Sequence, residues 1–515
     1  MSKTIDIILT ANDWYSEGGV SVRGYCYKGD GTLLRGKALA KHFATAADEE
    51  SFAKLLRRDC NGLFAVVIDT PAFKALAVDN SRIYPLFYTA KGAVSDSAYA
   101  LAGKCRSLNS HALTFYNAAG MTPERETLLS EVRHVAAASY VVLCDCGVCR
   151  VKYYSYLVDK GRCRLKGLTE LDGVMNAAFK RAFDSVEGRQ IIVPLSGGYD
   201  SRLVVCMLKR LGYTNVVCFT VGNDKSYEVR IASEVCRTLG FKHLVIDAGA
   251  AVSEGLNLAD EHFKGYCRHM GNFVNFSYVF EYVALKRIKE LNVVEADAVF
   301  IPGHSGDFYG GGYVLKSGVT ERSTPKQITK AILYDIIEYN FTRGMREMVS
   351  NMVAPQHEPH SVVQEFVKSH TLAMCINNSA RVYGYFGHEV RLPFWDMELL
   401  NFFRDIHPLQ LTSDRIYYLY THNIFEQLKV DMRQPQPTLM QMKTQRIKNR
   451  IKKHLPKCIA ALLTRHNNLT DELTLCKPML KQMSRRTCHY SVNDIMKQWY
   501  LSEVQRFITE STVQE

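Results

Sequence analysis

No run of eighteen apolar residues occurs anywhere in this 515-residue chain, which excludes an α-helix long enough to cross a membrane. The opening ten residues hold only a short apolar run broken by Asp6, too little for a secretory leader, and set the expectation of a cytoplasmic protein. A metal or disulfide ladder is missing as well. The fifteen cysteines are scattered, and the C-x-x-C from Cys146 to Cys149 has no second pair or His at ligand spacing. Its setting, two β-rich runs around Asp145 to Gly147, predicts a hairpin. Acidic residues are absent from 443–454, where six of twelve positions are Lys or Arg, in a chain of net charge +12. With no aromatics interleaved for base stacking, this stretch reads as a solvated helix face, and a nucleic-acid partner is not expected. Internal repeats are absent too. Apolar residues at 47% and charged residues at 23% describe an ordinary globular protein, and the length predicts two domains plus an extension.

The most informative stretch is 190–205. Ile191 to Val193 reads as a buried strand, Ser196-Gly197-Gly198 as a tight turn, and the residues from about Asp200 to Leu211 as a helix. A strand, a glycine turn and a helix start make an anion cradle, because backbone N–H groups and the positive end of the helix face one point. Glycine at 197 and 198 lets a phosphate approach the backbone, and the Ser196 and Ser201 hydroxyls add donors. Asp200 conflicts with a bare phosphate. A Mg²⁺ ion between them, a hard cation suited to oxygen ligands, removes the conflict. No Lys follows the glycines, which excludes the G-x-x-x-x-G-K-[ST] loop of kinases and GTPases. Ser196 to Ser201, with Tyr199 at the open position, instead matches the SGGxDS loop of the ATP pyrophosphatases, or PP-loop enzymes.

The rest of the chain sorts by pattern. Strand-like runs dominate to about residue 155, at 6–10, 20–27, 63–69, 76–78, 86–89 and in the hairpin between 140 and 154. Alternation follows: helix 166–185, strand 191–195, helix 201–211, strand 216–221, helix 227–239, strand 243–246. Successive βαβ units predict a doubly wound parallel sheet with its ligand at the carboxyl ends of the strands, where Ser196 falls. Beyond about 320 the chain turns helical. The fold class expected is α/β: a mainly β, sandwich-type domain (1–155), a doubly wound PP-loop domain (165–405) and a basic helical extension (406–515).

The chain resembles the asparagine synthetase family over roughly its first 400 residues. Asn61 to Ala65, Leu76 to Tyr88, and Thr127-Leu128 with Val132 resemble soft motifs of that family's glutaminase domain, in order. Phe219 to Gly222, Glu228 to Ala232, Leu239 to His243, Pro302 to Gly311 and His388 to Asp396 resemble motifs of its synthetase domain. The resemblance implies that Ser196, Gly197, Gly198, Tyr199, Asp200 and Ser201 bind the pyrophosphate part of ATP. It further implies that Asp200 and Asp307 carry Mg²⁺, and that Pro194, Leu195, Val221, Pro302 and Gly303 contact adenine or ribose. Glu389, Arg391 and Asp396 read as structural ion pairs and stay outside the site.

Three departures shape the expected function. Ser2 stands where the family's glutaminase carries its Cys nucleophile, and the glutamine-binding segments are unrecognisable, so no glutaminase nucleophile is assigned. His304 replaces a frequent Glu and is the one catalytic candidate. The R-x-K-x-G-F segment is missing, with Lys429, Arg433 or Lys443 as substitutes among which the sequence does not choose. The reading is an ATP-dependent amide-forming ligase joining a small-molecule carboxylate to an amine or ammonia, with a homodimer left open. Three alternatives stand beside it: an amidating enzyme of surface polysaccharide or small-metabolite biosynthesis, a tRNA-modifying PP-loop enzyme, and a non-catalytic ATP-binding protein.

Overall fold

The computed structural model describes residues 6–102, 107–123, 125–144, 147–223, 226–247, 256–337, 342–430, 439–452 and 492–513, the helix 439–452 with only part of its side chains. Ser2 and Arg433 lie outside the described residues, as does the side chain of Lys443.

The strands of the first part are β1 (Asp6–Ile8), β2 (Tyr15–Glu17), β3 (Val20–Tyr27), β4 (Leu33–Arg35), β5 (Asn61–Asp69), β6 (Lys74–Val78), β7 (Phe87–Thr89), β8 (Ala93–Ser95), β9 (Val132–His134), β10 (Ser139–Cys144) and β11 (Gly147–Lys152). They form two sheets, ordered β1-β8-β7-β9 and β11-β10-β6-β5-β3-β2, with β4 paired to β3. Period-two alternation divides β5 between two cores. Ala65 and Val67 join Leu76 and Val78 of β6 and meet Tyr88 and Val94 of the smaller sheet. Phe64, Val66 and Ile68 turn the other way, toward the cluster holding Leu39, Phe43, Phe52 and Leu56 of the helices Gly36–Phe43 and Glu49–Arg58. The expected hairpin is present, with Cys144 opposite Gly147 in antiparallel register. Cys144 and Cys149 are both exposed.

The second part is built on a parallel sheet of β12 (Ile191–Pro194), β13 (Val216–Val221), β14 (Lys242–Ile246), β15 (Val299–Phe300) and β16 (Glu389–Val390), ordered β14-β13-β12-β15-β16. Ile191, Ile192 and Val193 are all buried, as a central strand covered on both faces requires. The helices Leu168–Asp184, Tyr199–Arg210 and Tyr227–Leu239 fall close to their predicted spans, the last one residue for residue. Gly240, at φ 75°, ends that helix in the left-handed conformation that glycine tolerates. Chain order runs outward in both directions from β12 and β15, which leaves a crevice at their carboxyl ends.

Among the described residues no helix is long and apolar enough to cross a membrane. The last described helix, Val492–Val513, returns to the strand-rich part. Tyr500 lies within hydrogen-bond distance of Tyr99, hydroxyl to hydroxyl at 3.1 Å, and accepts from the Phe273 N–H at 2.9 Å.

Candidate functional site

The loop after β12 is shaped by its own serines. Ser201 Oγ accepts the Ser196 N–H at 3.0 Å, Ser196 Oγ accepts the Gly198 N–H at 3.2 Å, and the two hydroxyls lie 3.0 Å apart. The helix therefore starts at Tyr199, one turn beyond the strand end, with extended Gly198 before it (φ −72°, ψ 166°). Below the loop Arg202 is fully buried. Its Nε donates to the Gly198 carbonyl at 3.1 Å, and its guanidinium lies 4.9 Å from the Tyr199 ring and 4.7 Å from that of Phe425.

The second loop follows β15. Ile301 N–H donates to the Ile192 carbonyl at 2.8 Å, which carries Pro302 and Gly303 to the edge of the first loop. The approach is close: a Cβ at Gly303 would sit 2.5 Å from the Ser201 backbone nitrogen, and one at Gly306 would run into the Asp200 carboxylate. Ser305, at φ 77°, makes the bend, and Asp307 donates its backbone N–H to Asp200 Oδ2 at 2.7 Å. The two carboxylates expected to share a cation are thus neighbours from different loops. Burial, then the charge of Asp307, pushes the Asp200 carboxyl up to about 7. A cation between them would reverse that shift by favouring both charged forms.

Two tyrosines complete the pair. Tyr417 donates to Asp200 Oδ1 at 2.7 Å and Tyr418 to Asp307 Oδ1 at 3.0 Å, both from the first turn of the helix Ile416–Gln427. Arg415, in the left-handed region at φ 42°, stacks 4.0 Å from the Tyr418 ring centre and donates Nε and Nη2 to the Gly310 carbonyl. Tyr417, Tyr418 and Arg415 all lie outside the motifs quoted above. Adjacent tyrosines at a helix start are a weak sequence signal, and only tertiary structure brings them to the loops.

The remaining candidates fall as follows. Pro194 ends β12 and Leu195 follows it, Val221 ends β13, and Pro302 and Gly303 come after β15, so the five residues sit at the carboxyl ends of three adjacent strands. Thr220 holds Leu195 by donating to its carbonyl at 2.6 Å. His304 is partly buried, its Nδ1 lacks a hydrogen-bond partner among the described residues, and burial pushes its pKa down to about 4. It is therefore neutral near pH 7, a group able to accept a proton but not poised to give one. Lys429 takes a left-handed φ of 58° two residues beyond that helix. The residues set aside as structural are ion-paired: fully buried Arg391 meets Glu389 at 2.7 Å, and Arg181 grips both Asp396 oxygens at 2.8 Å.

The asparagine synthase family profile matches residues 171–499, well over half of the sequence. The chain belongs to the asparagine synthase family. Among its relatives, a probable glutamine-hydrolysing asparagine synthetase of Acanthamoeba polyphaga mimivirus is 28% identical over 233 residues, 44% of this chain and 35% of that protein. A 7-cyano-7-deazaguanine synthase of Pseudoalteromonas atlantica is 27% identical over 128 residues, 23% of this chain and 57% of that protein. The matches thus span about a third and somewhat over half of those relatives' own lengths. The NMN synthetase structure from Francisella tularensis aligns at 13% identity over 52% of this chain and 99% of its own, with a TM-score of 0.18, too low to bear on the fold. The asparagine synthase match takes in both aspartate loops and also Tyr417 and Tyr418, which lie beyond the quoted motifs.

Proposed function

We propose that this asparagine synthase family member is an ATP-dependent, amide-forming ligase that activates a small-molecule carboxylate by adenylation. Asp200 and Asp307 carry the reading, because they meet across the crevice between β12 and β15 directly beside the serine loop. Ser196 to Ser201 would hold the pyrophosphate portion of ATP, and Pro194, Leu195, Val221, Pro302 and Gly303 the adenine and ribose. The substrate carboxylate would attack the α-phosphate and release pyrophosphate, after which an amine or ammonia would displace AMP.

The aspartate pair suits Mg²⁺, which takes one or two carboxylates and fills its other positions with phosphate oxygens and water. Bound there, the ion would offset the charge on the departing pyrophosphate. Tyr417 and Tyr418 orient the two carboxylates, and neutral His304 would be the group to accept a proton from the incoming amine.

The proposed division is 1–155 as a glutaminase-like domain without activity, 165–405 as the synthetase domain and 406–515 as an extension, in a cytoplasmic protein. Without a Cys at position 2, glutamine is not expected to release glutamate, and Ser2→Ala should change nothing. Glutamate release abolished by that substitution would overturn this. An RNA substrate is disfavoured by Arg450, which spends part of the basic stretch on an internal pair with buried Asp335.

Pyrophosphate–ATP exchange across a panel of acids, aspartate and sugar acids included, tests the proposal. One acid should support exchange, and Asp200→Ala or Asp307→Asn should lower it by roughly a hundredfold or more. ATP binding without exchange for any acid would leave a non-catalytic ATP-binding protein.

A further inference from the structure

A cavity of about 1040 Å³ opens away from the serine loop, between the strand-rich part and the end of the parallel sheet. One wall carries Asp13, Arg23 and Asp96, and the other Arg268, Arg381 and Glu389. The three carboxylates are already engaged. Asp13 pairs with Arg23 at 2.7 Å. Asp96 accepts from the Thr10 N–H and hydroxyl at 2.8 Å, from Ala11 N–H at 3.0 Å and from Trp14 Nε1 at 2.9 Å, so it fastens the 10–14 loop. Glu389 is held by Arg189 and Arg391.

The cations do not balance in the same way. Arg381 is 7% exposed, and its Nη1 donates to the Asn378 side-chain oxygen at 2.9 Å and to the Met270 carbonyl at 3.3 Å, both neutral. No ion pair among the described residues includes it. Burial, then the charges of Arg82 and Arg23, lowers its pKa to about 9. Asp96 attracts it from beyond ion-pairing distance, but a buried guanidinium with no ion pair is costly, and an anionic ligand lowers that cost. Arg268 adds a second charge at the same cavity, 51% exposed and 3.8 Å from Glu261. His269, held neutral by burial and by Arg381, adds none. Tyr84, Tyr99 and Tyr385 also line the space and give it aromatic surface.

We propose that this cavity binds a small-molecule anion, a carboxylate or a phosphate monoester, with Arg381 as its buried counter-charge and Arg268 closing on it from the solvent side. The site is separate from the serine loop and stands whether or not that loop catalyses adenylation.

The experiment is calorimetric titration of the full chain with citrate and, separately, with inorganic phosphate, in the wild type, Arg381→Gln, Arg268→Gln and the loop variant Ser196→Ala. At least one anion should bind at one per chain, weakened about tenfold or more by each arginine substitution and unchanged in Ser196→Ala. Binding of citrate alone identifies a carboxylate ligand, and binding of phosphate alone a phosphate ester. Absence of binding by both anions overturns the proposal, as does binding that Ser196→Ala abolishes and the arginine variants leave intact. Arg268 is half-exposed, so its variant should fold as the wild type does. If circular dichroism shows Arg381→Gln unfolded, Arg268→Gln decides alone, and unchanged affinity there rejects the site.

Discussion

Tyr417 and Tyr418 reach the two aspartates from 217 and 111 positions away. Removing the Tyr417 hydroxyl leaves Asp200 its bond from Asp307 but loosens the carboxylate's orientation. Tyr417→Phe should cost about 1 kcal/mol of stability and raise the Mg²⁺ concentration needed for half-maximal exchange several-fold, while adding little to the KM for the acid. An unchanged Mg²⁺ requirement would make Tyr417 a packing residue. Gly303→Ala tests the same place sterically. The added Cβ collides with backbone rather than with a flexible side chain, so the two loops must part. Exchange should fall more than about tenfold, with a stability loss on the order of 1–3 kcal/mol read from urea unfolding. The aspartates were legible because each sits in a short motif, but their tyrosines were not, since nothing near Tyr417 in sequence refers to Asp200.

At the scale of elements, legibility followed length. The helix Tyr227–Leu239 carries almost four turns of apolar period and its glycine stop, whereas β15 and β16 have two residues each and no period to display. The short strands β2, β4, β8 and β9, three residues each, escaped prediction for the same reason. Once β16 is placed, its Glu389 becomes a junction, joined to Arg391 and to Arg189, with Arg35 of β4 3.8 Å away. Burial alone would raise its pKa, but Arg391 and then Arg189 and Arg35 outweigh this and hold it at about 2. A carboxylate depressed in the folded state adds stability above its unfolded pKa of about 4.3 and loses it as pH falls toward 2. Wild-type stability should therefore decline across pH 4.5 to 2 by more than that of Glu389→Gln. Parallel curves for the two proteins in acid denaturation would remove Glu389 from the account.

The whole molecule is tied together by contacts that span the sequence. Asn61 of β5 donates to Asp396 at 3.0 Å and accepts the Met397 N–H at 2.9 Å, while Lys152 of β11 pairs with fully buried Glu365. The helix Val492–Val513 makes the longest span. Residues past 430 were the least readable because that helix is matched to surfaces roughly 400 positions earlier, the rings of Tyr99 and Tyr116, and not to a pattern of its own. Tyr500 is its anchor. It is 1% exposed, its ring fills the space beside Gly271, where a Cβ would overlap it, and its hydroxyl engages both Tyr99 and the Phe273 backbone. Tyr500→Ala would leave a cavity lined from three parts of the chain and strip the Phe273 N–H of its acceptor. The expected cost is about 3–5 kcal/mol, seen in urea as an earlier midpoint for the whole transition, because the helix closes both parts. An unshifted main transition preceded by a small early step would mean that the helix frays alone. Since Tyr500 stands apart from the serine loop, exchange activity below the transition should remain near wild type, which separates this structural role from the chemistry at Asp200 and Asp307.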